Sequence, residues 1–157
     1  VFGMRRDVSL LVGLVSPALA LGTAWWVGSG IGYATLAARV RGTWLGTDPS
    51  LAVFLAVAGL LALGAISAAA NSGLLPTGLL VSAPVFGAAA TRYATTVSYS
   101  WGQRVVSLPD AVGMAVVSAL AFGLPIALAG FVLGSGLRRV LRVLGGRTGP
   151  SSAVDNA

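Results

Sequence analysis

From Pro49 to Thr91 the chain runs 43 residues without a charged side chain. A helix rises about 1.5 Å per residue and the hydrocarbon of a bilayer is about 30 Å thick, so this run is roughly twice the length of one crossing. It is therefore expected to fold back on itself. Its polar, turn-forming cluster is Asn71-Ser72-Gly73, which predicts a helical hairpin with Leu51–Ala70 running one way and Leu74–Thr91 returning. Asp48 and Pro49 are expected to start the first arm as N-cap and first-turn residue.

Two further runs flank this hairpin. Val8 to Val27 is nearly continuous in apolarity and long enough to span the hydrocarbon. Ala111 to Leu137 follows Ser107-Leu108-Pro109-Asp110, in which Ser107 can cap a helix while Asp110 reaches back from the third position. Arg138, Arg139 and Arg142 come next, putting positive charge near the negative end of the helix dipole, and the helix is expected to reach about Leu144. The reading is an all-α membrane protein, a four-helix transmembrane bundle. Its spans lie near 8–27, 51–70, 74–91 and 111–137 within a single domain over 1–144, and 145–157 form a disordered tail.

Composition supports this class. Apolar residues make up 56% of the 157 and charged residues 9%, with mean hydropathy +0.90, well above a soluble domain. The net charge of +6 comes from ten Arg against four Asp. These arginines border apolar runs, which suits lipid headgroups and cytoplasmic retention of positive charge better than nucleic acid. Met4-Arg5-Arg6 ahead of an apolar stretch containing Ala18-Leu19-Ala20 resembles a secretory signal. Because apolarity continues through Trp25-Trp26-Val27, the segment is expected to stay in the membrane as an anchor. Val1-Phe2-Gly3 ahead of Met4 is read as an alternative start or an upstream truncation.

The expected topology puts both termini in the cytoplasm of a multi-pass cell-membrane protein. Six arginines then lie inside, Arg5, Arg6, Arg138, Arg139, Arg142 and Arg147, against Arg39, Arg41, Arg92 and Arg104 outside. Every Trp and Tyr falls on the outer side, in or beside the connections Gly28–Ser50 and Arg92–Leu108. Within the first connection, Gly32 to Arg41 can form a short interfacial helix. In the second, Tyr93, Thr95, Val97, Tyr99 and Trp101 alternate with smaller residues, the period of a strand or extended cap. Both connections exceed a minimal helix link, so Trp44, Tyr93, Tyr99 and Trp101 are expected to pack as a small extracytoplasmic cap, or to form the surface that meets a partner.

Chemistry is constrained mainly by what is missing. The chain has no Cys and no His, and the four expected spans hold no Asp, Glu, Lys or Arg. Thiol chemistry, imidazole catalysis and a membrane-embedded proton carrier are thereby excluded, and no catalytic residue, cofactor or metal is expected. Ser9, Ser16, Thr23, Ser67, Ser82 and Ser118 have no base to activate them, so a packing role is expected for each.

Pro17, Pro84 and Pro125 lie near the middle of three spans. If their kinks converged, the freed carbonyls with Ser16 and Ser82 would line a polar cavity, as discontinuous helices do in transporters; ordinary kinking for packing is the simpler expectation. Gly130 and Gly134 form a G-x-x-x-G pair, and Ala52/Ala56, Ala65/Ala69 and Ser16/Ala20/Ala24 repeat at four-residue spacing, as close helix packing requires. The expected function is that of a non-enzymatic structural or accessory subunit acting by helix packing, whose partners are the bilayer and a further copy or another membrane protein. The alternative is a small permease or channel subunit.

Overall fold

The computed structural model describes residues 6–71 and 73–145. The fold is mostly helical. Helix α1 (Arg6–Trp26) continues through a π-turn (Val27–Ile31) into α2 (Tyr33–Leu45); α3 (Leu51–Asn71) and α4 (Leu74–Ala90) follow. A hairpin of β1 (Thr96–Tyr99) and β2 (Gly102–Val105) leads to α5 (Leu108–Ser118), a second π-turn (Ala119–Gly123) and α6 (Leu124–Gly145). Three helical stretches are long and apolar enough to cross a membrane: Leu10–Ile31, Leu51–Ala70 and Leu108–Leu141. The apolar Leu74–Ala90 is shorter.

The uncharged 43-residue run breaks where its polar cluster stands, since α3 ends at Asn71 and α4 begins at Leu74. Other boundaries differ from expectation. The first helix does not end near Val27 but winds on to Ile31, where the Gly32 amide donates to the Val27 carbonyl at 2.8 Å. Gly32 then takes φ 76° and ψ 148°, a conformation closed to residues with a Cβ, and the chain turns into α2. Asp48 does not cap α3. The helix starts three residues later, with the Val53 and Phe54 amides bonded to the Ser50 carbonyl, while the Asp48 amide closes the end of α2 by donating to Gly42.

The last helix starts at Leu108, with Ser107 as its N-cap: the Ser107 hydroxyl accepts from the Asp110 amide at 3.4 Å. Asp110 serves as the third-position partner, though it receives the Ser107 hydroxyl itself (2.8 Å) and the Arg104 guanidinium (2.8 Å).

Helix α4 is the centre of the packing, touching α1, α3, α5 and α6. Against α1 it runs parallel: the pairs Ala20–Gly87 and Gly28–Thr91 advance together. Helices α3 and α6 likewise run parallel, with Gly64 over Gly130 and Ala65 and Ala68 over Gly134. Between the pairs the direction reverses, as Ser82 meets Gly123 and Thr77 meets Ser67. The seams are built of small residues. A Cβ on Gly87 would collide with the Ala20 carbonyl, and one on Gly134 with the Ala65 carbonyl, so these backbones meet without side chains between them.

Large apolar side chains point outward instead. Leu10, Leu14, Leu21, Leu51, Leu55, Ile66, Val132 and Leu133 are all exposed, and only about a fifth of each spanning stretch is buried (17%, 17% and 22%). A soluble fold of this size would bury these groups. The hydroxyls inside the helices are satisfied locally, Ser16 donating to the Val12 carbonyl and Thr23 to the Leu19 carbonyl, both at 2.7 Å.

Candidate functional site

The features that combine polar and apolar character gather at the end of the bundle that carries the hairpin. Tyr99 pairs with Gly102, so the connection between the strands is Ser100-Trp101. Val97 and Tyr99 on β1, with Arg104 on β2, share one face of this ribbon, because alternate strand residues point the same way. That face looks onto the first turns of α5. Between the two lies a groove of ≈420 Å³ lined also by Arg92, Val106, Pro109, Asp110, Gly113 and Met114. Arg104 and Asp110 bridge it as an ion pair of 2.8 Å, with side chains 69% and 47% exposed. Arg92, at the exit of α4, lies 5.9 Å from the centroid of the Tyr33 ring, the geometry of a cation–π contact.

The aromatic cap does not form as a packed body. Trp101 is 82% exposed and stacks flat on Tyr99, with ring centroids 4.8 Å apart and planes 5° off parallel. Trp44, 80% exposed, instead leans edge-on against Phe122 of the second π-turn at 6.2 Å. Tyr93 is exposed. The two connections meet through Arg92 and Tyr33 rather than through these four rings. The physical reason is that the hairpin is only two strands wide: the face carrying Val97, Tyr99 and Arg104 looks onto α5, and Trp101 at its tip stays exposed.

A family model described as "Domain of unknown function (DUF8071)" matches residues 2–146. The chain belongs to this family. No curated protein and no solved structure matches it.

In this DUF8071 chain the three prolines do not converge on the groove at the hairpin end. Pro17 and Pro125 are exposed, Pro84 is half-buried within α4, and none lines the groove. Pro125 comes two residues after the π-turn Ala119–Gly123, whose wider winding gives its ring room against the preceding turn, where it makes no amide hydrogen bond. Arg138 and Arg139 lie on the last turns of α6, half-buried and exposed respectively; the side chain of Arg142 and the tail from 146 fall outside the described residues.

Two features of the DUF8071 fold were overlooked in the sequence. One is the strip Ala111, Ala115, Ala119, Gly123, Ala127, Gly130 and Gly134, all buried and almost all four residues apart. A residue every fourth position drifts about 40° per step on a regular helix, and the π-turn in the middle of the strip winds part of that drift back. The other is the groove itself. Its signal was the alternation Val97, Tyr99 opposite Arg104, read here as a cap and not as one wall of a cleft.

Proposed function

We propose that this protein crosses the membrane four times with both termini in the cytoplasm. On this reading it acts without catalysis, as a structural or accessory subunit whose hairpin end meets another membrane protein or a further copy. Supporting it, the apolar faces of the long helices point outward, where lipid would cover them, and their small-residue faces are consumed in packing within the chain. Gly130 and Gly134 are therefore not free to join a second copy. The observation that carries the assembly reading is the Tyr99–Trp101 stack at the hairpin tip, because a stacked, exposed Trp is the kind of anchor that dominates interfaces.

A photo-crosslinking residue at position 101, activated in native membranes, tests the reading. A discrete adduct, at twice the chain mass for a second copy, is expected; adducts to lipid alone would refute it. The arginines Arg138, Arg139 and Arg142 belong to the same reading as contacts for anionic headgroups at the cytoplasmic face, at about 1 kcal/mol each.

A further inference from the structure

We propose that the groove between the hairpin and α5 holds the headgroup of an anionic glycerophospholipid. Arg92 would grip the phosphodiester, and the rest of the headgroup would lie over Gly113 and Met114. The inference rests on the four-span reading for its depth in the membrane, and on the groove for its chemistry.

Depth comes first. Counting back along the parallel helices α3 and α6 from the Gly64–Gly130 contact puts Leu51, the first residue of α3, level with about Val117. Counting forward from Ala20–Gly87 puts Trp26 level with about Tyr93. The start of α3 and the exit of α4 thus lie near one level, and Trp25 and Trp26 of the first helix are exposed there as interfacial rings. The first turns of α5 rise above it. The groove therefore opens at headgroup depth, with Arg92 near the level of Tyr93 and Gly113 and Met114 about one helical turn beyond it.

Charge comes second. Asp110 is already engaged by the Arg104 guanidinium and the Ser107 hydroxyl, both on the same oxygen, Oδ2. Among the described residues no carboxylate pairs with Arg92, whose neighbour is the face of Tyr33. The groove thus presents one half-buried guanidinium whose charge is not offset, and a planar fork of donors matches phosphate oxygens in pairs.

Shape comes third. The volume of ≈420 Å³ falls within the range of about 300–1,000 Å³ in which small-molecule sites lie. Its apolar wall is Val97, Val106, Pro109 and Met114. A Cβ on Gly113 would meet nothing within 4 Å, which leaves an open shelf where a headgroup can lie.

The test uses the full chain in mild detergent, with Arg138, Arg139 and Arg142 all replaced by Gln so that the opposite end contributes no headgroup binding. Phosphatidylglycerol and phosphatidylcholine of equal chain length are titrated and bound lipid is counted by native mass spectrometry. The expected result is a preference for phosphatidylglycerol that Arg92→Gln lowers by about tenfold, the size of one charge-assisted hydrogen bond. Arg92→Lys should fall between the two, and Gly113→Leu, which fills the shelf, should weaken both lipids.

An unchanged preference in Arg92→Gln, or unchanged binding of both lipids in Gly113→Leu, overturns the proposal. So does inorganic phosphate displacing phosphatidylglycerol at equal concentration, which would make this a free-anion site. Should Arg92→Gln not fold, Gly113→Leu decides alone. Because binding is read in detergent, it stands apart from the number of crossings, and either result can fail without the other.

Discussion

Gly87 shows how little room separates the helices. Its ideal Cβ would lie 2.8 Å from the Ala20 carbonyl carbon and 2.9 Å from the Ala20 Cα, so any side chain must push α1 and α4 apart. Gly87→Ala is expected to destabilise by about 1–3 kcal/mol, the cost of overpacking. Gly59→Ala, at a position with nothing within 4 Å, should be neutral or slightly stabilising. Thermal unfolding in detergent compares the two, and equal midpoints would show that the seam is loose. At this scale the sequence was legible in type but not in partner. The pair Gly130/Gly134 and the repeat through Ala20 signalled close packing, yet only the fold shows that Gly134 faces Ala65 and Ala20 faces Gly87. Ala52 and Ala56 carry the same spacing and are exposed, because spacing fixes a face and not what covers it.

Helices and their breaks were read more readily than the turns that aim them. The break at Asn71-Ser72-Gly73 stands out because a polar cluster in an uncharged run has no competing explanation, and the cap Ser107 stands out because its hydroxyl is the natural partner of the Asp110 amide. Ser107→Ala should lower stability by about 0.5–2 kcal/mol. The exposed Arg104–Asp110 pair is worth less, so Arg104→Gln should cost under about 1 kcal/mol in the same melting experiment. The π-turns gave no local signal, since they arise from the need to keep a small-residue strip on one face and to bend the chain after α1. Gly32 makes that bend. Gly32→Ala places a Cβ at φ 76° and ψ 148° and should cost about 1–3 kcal/mol, whereas Gly30→Ala, inside the π-turn and in open space, should cost less. Equal losses at the two positions would mean that the bend does not depend on backbone conformation.

At the scale of the whole molecule, the short helix and the long one explain each other. Helix α4 has 17 residues, about 25 Å, at the lower limit for a crossing, yet it sits between α1, α3 and the last helix, which bury Pro76, Thr77, Leu80, Val81 and Gly87 along it. The stretch Leu108–Leu141 has 34 residues, about 51 Å, well beyond the hydrocarbon; its surplus rises at the hairpin end, where α5 supports the ribbon. The four crossings proposed above require residues 47 and 100 on one side and residues 71 and 151 on the other. The chain has no cysteine, so single replacements at these positions report without background. With an impermeant maleimide on intact cells, Thr47→Cys and Ser100→Cys should react at once, and Asn71→Cys and Ser151→Cys only after the membrane is opened. The terminal arginines set the expected direction, six to four, a narrow margin. A mirror-image pattern would keep four crossings and invert the orientation, moving the Tyr99–Trp101 stack to the cytoplasm. Labelling of residues 47 and 100 from opposite sides would instead remove a crossing, and with it the membrane depth assigned to Arg92 and the groove.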